Sequence, residues 1–288
     1  MKLNVKTIEE VGLNLLTKAA TKLPDEVKKA LKAAYEAEET STAKTELKNI
    51  LDNIEAAEKL QKPMCQDTGL ISFYIKSREI ENFLEVTEAL KKATIKATEQ
   101  VPLRPNAVHP LTRKNTGNNV GEHIPNINWI YSETDYAEIT VFLKGAGSEN
   151  MSRLEMITPG LGIKGIKKFV VDFVVKAGAQ PCPPIFVGVG IGGTIDLTAK
   201  LAKLALLRPF RSRNPDKDVA KLEDELLTLI NQTGIGPMGL GGKTTALDVR
   251  VEFAHCHTAS LPVCINIQCW AHRKASAKIY GDGTAEYI

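Results

Sequence analysis

A chain of 288 residues with 43% hydrophobic and 25% charged side chains can bury a sizeable core, as one large domain or two. A formal net charge of +3, with Lys and Glu interleaved rather than blocked into tails, argues against nucleic acid as a partner. Its longest apolar runs, such as FVVDFVV, fall far short of a bilayer span, and five cysteines without a secretory leader fit a reducing cytoplasm.

In chain order, residues 5 to about 62 read as helices. Leu13, Leu15, Leu16, Val27, Leu31, Ile50, Leu51, Ile54 and Leu60 recur at spacings that build an apolar face. Pro24 suits the first turn of the second helix, with Asp25 and Glu26 complementing its dipole. After Lys62-Pro63 comes the loop MCQDTG and then the strand-like LISFYIK. A helix over about 81–99 leads into VPLRPNAVHPLTRKNTGNN, a polar loop long enough to suggest a functional role. YAEITVFLK alternates as a strand and runs into GAGSEN.

IKKFVVDFVVKAG reads as a helix ended by a glycine, PIFVGVG as a buried strand, and LTAKLAKLALL and VAKLEDELLTLIN as two further helices. The last quarter is glycine-rich (GIGPMGLGGKTT) and then strand-like in ALDVRVEF and LPVCINIQ. The pattern predicts a mixed α/β (α+β) fold in one domain over 1–288. A helical N-terminal lobe over 1–62 is expected to pack on a mixed sheet core that carries three cysteine loops.

Two glycine motifs invite nucleotide readings. Gly188, Gly190 and Gly193 match GxGxxG between a strand and a helix, but a dinucleotide unit wants a second strand ending in an acidic residue about 20 residues on. RPFRSRNPDKD stands there instead. GPMGLGGKTT misses the phosphate-loop spacing, because Pro237 occupies the position of its first glycine and leaves Lys243 in a near-match. Arg104 and Arg153 are candidate carboxylate clamps, since a guanidinium can bind a carboxylate through two parallel N–H bonds. His255, Cys256 and Cys264 are expected to be structural, and His257 is retained as an acid/base candidate.

Cys65 (MCQDTG), Cys182 (QPCPPIFVG) and Cys269 (NIQCWAHR) lie far apart, and none belongs to a CxxC pair. Three thiolates brought by three loops could hold a cubane iron–sulfur cluster with one iron left open as a Lewis acid. Asp67 follows Cys65 by two residues and would lie near such a group.

The segments KPMCQDTG, LRPN, KGAGSENMS, CPPIFVGVGIGG, GPMGLGGKTTALDV and HTASLPV, taken in order, resemble the alpha, cluster-bearing part of class I fumarate hydratases and the related tartrate dehydratases. The resemblance implies a [4Fe-4S] cluster on Cys65, Cys182 and Cys269. Cys269 is preferred to Cys264 because it follows His257 by twelve residues, as the family's third cysteine follows its histidine. It further implies Gln66, Arg104 and Gly147 as substrate-binding residues, with Asp67 and His257 as catalytic ones.

The implied reaction is reversible hydration of fumarate to malate, with L-tartrate dehydration as the alternative. The resemblance is to the two-subunit form, in which a beta subunit completes the site and supplies the group that takes the carbon proton. A homodimer of alpha chains within a heterotetramer is expected. A different class, a redox or iron/oxygen-sensing iron–sulfur protein, would want a fourth cysteine on the cluster.

Overall fold

A computed structural model describes residues 2–288. In chain order its elements are α1 (Val5–Thr21), α2 (Asp25–Ala37), α3 (Ser41–Leu60), β1 (Leu70–Ser77), α4 (Phe83–Gln100), β2 (Asn126–Tyr131), β3 (Ala137–Lys144), α5 (Ala146–Glu149), β4 (Ser152–Ile157), α6 (Gly162–Ala177), β5 (Ile185–Ile191), α7 (Ile195–Leu207), α8 (Lys217–Gln232), β6 (Ala246–Phe253), β7 (Leu261–Gln268), β8 (Lys274–Ile279) and β9 (Ala285–Tyr287). The fold is mixed α/β, as the periodicity predicts.

Strands β2, β4, β8 and β9 escape the sequence pattern. β2 is only half-buried, β4 carries Arg153 and Glu155, and β9 is exposed. β8 alternates, but its buried positions are small (Ala275, Ala277) ahead of Ile279; the strand form of β2, β4 and β9 comes from ladder partners rather than from apolar alternation. The chain divides into two compact units: Met1–Pro24, Asn53–Ala146 and Arg273–Ile288 form the first, and Asp25–Asp52 and Gly147–His272 form the second.

The first unit is a five-stranded sheet in the order β2-β1-β3-β8-β9, with only the β1–β2 pair parallel. Ile71, Phe73 and Ile75 alternate along β1 and share one buried cluster with Ile139, Val141 and Leu143 of β3 and Ala275, Ala277 and Ile279 of β8. α1 and α4 cover that face through Ile8, Leu15, Leu16 and Leu90. The side chain of Asn4 starts α1 by accepting from the N–H groups of Lys6 and Thr7. Register then decides what meets at the sheet end. Leu70 pairs with Lys144 and Phe142 with Lys274, so the segments before β1, after β3 and before β8 come together there.

The second unit holds a four-stranded sheet in the order β4-β7-β5-β6, with β5 and β6 parallel. Val187 and Val189 of β5 join one core with Val170 and Val174 of α6 and Leu226 and Ile230 of α8. The alternate residues, Gly188 and Gly190, face α7 on the other side of the sheet. A Cβ on Gly190 would stand 2.1 Å from the Thr198 carbonyl oxygen, and one on Gly188 2.2 Å from that of Ala202. Phe186 pairs with Gln268, which sets the segment entering β5 beside the segment leaving β7.

Candidate functional site

The MCQDTG loop of the first unit is organised around Asp67. Its Oδ1 accepts the Gly69 N–H at 2.9 Å and the Asn106 side-chain N–H at 3.2 Å, while Oδ2 accepts the Ala146 N–H at 2.7 Å. The backbone carbonyl of Asp67 accepts from Nη1 of the buried Arg273 at 2.7 Å. Gly145 must be small, because a Cβ there would lie 2.9 Å from Asp67 Oδ2 and 3.3 Å from Arg273 Nη2. Upstream, Met64 donates its N–H to the Ala20 carbonyl and receives the Asn53 amide on its own carbonyl. The half-buried Cys65 and the exposed Gln66 therefore sit between two anchored points.

Arg104 projects from a loop tied down by Asn119. The Asn119 amide donates to the Arg104 carbonyl at 3.1 Å and accepts from the Asn106 N–H at 2.7 Å, and the Thr68 hydroxyl also donates to the Arg104 carbonyl. Asn119 is buried and adopts a positive φ of 61°, a conformation in which asparagine is tolerated better than most residues. The Arg104 guanidinium is exposed and has no ion pair or hydrogen bond among the described residues. It is available to a ligand.

In the second unit the Trp270 N–H donates to the Cys182 carbonyl at 3.3 Å, holding the Cys182 and Cys269 segments side by side. Cys182 itself sits at φ 54°, sparsely populated for a residue with a Cβ and the kind of strain that gathers at functional sites. The Cys269 turn is fixed from below. The Ser148 hydroxyl donates to Gln268 Oε1 at 3.0 Å, and the Gln268 amide donates to the Ala271 carbonyl at 3.1 Å. Gly147 lies against the same region, since a Cβ on it would be 3.1 Å from the Gln180 carbonyl oxygen. His257 is exposed, and its Nδ1 accepts the Ala259 N–H at 3.1 Å. In the neutral ring that bond puts the proton on Nε2 and leaves it as a donor.

Other sequence motifs resolve into structure. Gly188 and Gly190 serve the approach of α7 to β5, and a Cβ on Gly192 would meet the Ala254 carbonyl oxygen at 2.0 Å. The GxGxxG pattern is packing. The GPMGLGG loop leads into strand β6, whereas a phosphate loop leads into a helix. Its Met238 N–H donates to the Pro183 carbonyl next to Cys182, and its Lys243 ammonium is 2.6 Å from Glu39. Arg153 is not a free clamp: it lies on β4 with Nη2 3.0 Å from Glu155.

The sequence reading missed Arg273, Asn106, Asn119 and Glu38. Buried Glu38 accepts the N–H groups of Glu39 and Thr40 at the start of α3 and that of Lys243 in the glycine loop. Burial pushes its pKa up, but the N–H bonds from Lys243 and Thr40 outweigh this and hold it below the ordinary carboxylate value. An Asx or Glx signal in a loop announces a turn, not a partner distant in sequence.

None of the five cysteines is in a disulfide. Cys65, Cys182 and Cys269 are half-buried in loops, where a thiolate can be reached. Burial pushes the Cys264 thiol up to about 11, with the Glu149 carboxylate adding to the shift, which disfavours its thiolate. Among the described residues no three of His, Cys, Asp and Glu gather as ligands of one metal ion. A cubane's thiolates each bind a different iron, so a cluster calls for separate thiols on fixed loops. Cys65, Cys182 and Cys269 each offer a half-buried loop thiol, the donor type such a group takes, whereas Cys264 is buried within β7.

The family described as fumarate hydratase (Fumerase) matches residues 9–278. The chain belongs to the fumarate hydratase family. It is 52% identical over 277 residues to a Methanocaldococcus jannaschii protein named "Putative L(+)-tartrate dehydratase subunit alpha", covering 94% of this chain and 97% of that one. It is 36% identical over 286 residues to the L(+)-tartrate dehydratase subunit alpha of Escherichia coli strain K12, covering 99% of this chain and 94% of its relative. No helix among the described residues is long and apolar enough to cross a membrane.

Proposed function

We propose that this chain is the alpha subunit of a two-subunit hydro-lyase acting on a four-carbon dicarboxylate, interconverting fumarate and malate. The family supports the reaction class, and the relatives' names, both ending in "subunit alpha", support a companion chain. The observation that carries the reading is the Trp270–Cys182 bond, which holds two of the three proposed cluster cysteines at one sheet end. The third, Cys65, is two residues from Asp67, whose carbonyl is bonded to Arg273, itself four residues after Cys269. A [4Fe-4S] cluster on Cys65, Cys182 and Cys269 would supply an iron bound by no thiolate, a Lewis acid for the substrate hydroxyl.

The chain's own residues then divide the remaining work. Arg104 binds one carboxylate through paired N–H bonds and stabilises the charge that grows there as the carbon proton departs. Gln66, exposed beside Cys65, offers an amide to the substrate, and Gly147 leaves room for it. His257 carries the proton on the oxygen side through Nε2. Asp67, whose two oxygens already accept three N–H bonds, keeps the loop and the groups around it in register. The base at carbon belongs to the companion chain, within a heterotetramer in the cytoplasm.

L-tartrate is the second reading, favoured by the names of the relatives at 52% and 36% identity. Its substrate differs by one hydroxyl. The test is anaerobic reconstitution with iron and sulfide, then spectroscopy and assays on malate, fumarate and L-tartrate with and without the companion chain. A [4Fe-4S] signal lost in Cys65→Ser, Cys182→Ser and Cys269→Ser but kept in Cys264→Ser, with activity only when the companion is added, is expected. A cluster that needs a fourth cysteine, or one without hydro-lyase activity on any of the three acids, would return the chain to a redox or iron-sensing role.

A further inference from the structure

Cys182 sits in a segment that can do little to hold itself. The two residues after it, Pro183 and Pro184, have no N–H to donate, and its own φ of 54° is one that a residue with a Cβ holds only under restraint. Two loops of the same unit supply that restraint. The Trp270 N–H donates to the Cys182 carbonyl at 3.3 Å, and the Met238 N–H donates to the Pro183 carbonyl at 2.8 Å. Met238 belongs to the glycine loop, where Gly239 presses on Ala179: a Cβ there would lie 2.3 Å from the Ala179 Cβ.

The glycine loop needs fixing in turn. Gly236, Gly239, Gly241 and Gly242 all have positive φ, as does Met238, and glycine loses more conformational freedom on ordering than any other residue. The near end of the loop is tied to its own stem, where the Gly236 N–H donates to the Thr245 hydroxyl at 3.0 Å. The far end is tied to Glu38, about 200 residues away in sequence. Oε2 of Glu38 accepts the Lys243 N–H at 2.8 Å, while Oε1 accepts the N–H groups of Glu39 and Thr40 and the Thr40 hydroxyl. Gly242 must lack a side chain for this contact, since a Cβ would fall 2.7 Å from Oε2. Glu38 is 3% exposed, and backbone N–H bonds to a buried carboxylate are among the stronger ties a loop can have. The neighbouring Lys243–Glu39 pair is exposed and contributes little.

We propose that Glu38 is a positioning residue for Cys182: it fixes the far end of the glycine loop, and through Met238 the loop fixes the Cys182 segment. The purpose, a thiol held ready for iron, rests on the cluster reading above. The test is alkylation of the reduced, metal-free full chain with iodoacetamide, followed at each cysteine by peptide mass spectrometry. In Glu38→Gln, whose amide turns an N–H toward that of Lys243, Cys182 is expected to react about fivefold faster, with Cys65 in the other unit and Cys264 in β7 unchanged. Glu39→Gln, which removes only the exposed pair with Lys243, is expected to leave all three rates unchanged. Acceleration of all three together in Glu38→Gln would mean general loosening, and an unaffected Cys182 would mean no link; either result overturns the proposal. A second measurement needs no variant. By NMR, the Met238 and Lys243 amides of the unsubstituted chain are expected to show matching protection from exchange, because the loop opens as a unit; protection that differs about tenfold or more overturns the proposal. Cluster uptake is scored separately, so a chain whose Cys182 responds to Glu38→Gln but takes up no [4Fe-4S] cluster fails the cluster reading alone.

Discussion

The two units support their cysteine loops by different means. Around Cys65 the support is polar: Asp67, Asn106, Asn119 and Arg273 hold three loop segments through side-chain bonds to backbone groups distant in sequence. Around Cys182 and Cys269 hydrogen bonds from Trp270, Ser148 and Gln268 are joined by close packing: glycines in β5 let α7 press on the strand, and Phe186 stacks on His272 at 4.4 Å between centroids. A polar mesh fixes direction but each bond is replaceable by water when the loop opens. Close backbone packing has no such substitute. The comparison predicts that the second unit is the more brittle under substitution and the first the more sensitive in loop dynamics.

The largest effect tests the steric side. Gly190→Ala forces a Cβ onto the backbone of α7, and denaturant unfolding is expected to show a loss of about 3 kcal/mol. Gly160→Ala, with nothing within 4 Å of the added carbon, should change little; comparable losses in both would break the packing argument. On the polar side, Asp67→Asn turns one acceptor oxygen toward N–H groups as a donor. A cost of about 2 kcal/mol is expected, together with faster amide exchange at 64–69 and 145–147.

Glu38→Gln sharpens the comparison through pH. The folded carboxyl is held below its ordinary value of 4.5, so its stabilisation is present above that value and is lost as pH falls through the folded one. The variant should be less stable at neutral pH by about 1 kcal/mol and should show a shallower acid limb; parallel limbs would remove Glu38 as the tie between α3 and the glycine loop. The smallest effect belongs to Lys48→Ala, which breaks an exposed pair with Asp52 on α3 and is expected to cost about 0.4 kcal/mol. A loss above about 1 kcal/mol there would mean that surface pairs matter more in this protein than such pairs usually do.

Period and punctuation in the chain determined the long helices, the apolar strands β1, β3, β5, β6 and β7, and the three cysteines that no local motif explains. These are local or compositional properties, readable because each residue's neighbours in sequence set its face and its turn. Only tertiary structure decided that Gly188 and Gly190 face a helix rather than a nucleotide, that Arg153 is committed to Glu155, and that Asp67 is bound by partners from three other segments. Strand register made those choices. Pairing Leu70 with Lys144 in the first unit and Phe186 with Gln268 in the second each brings together segments more than 70 residues apart at an end of its own sheet, and no periodicity within a segment encodes the register of its partner.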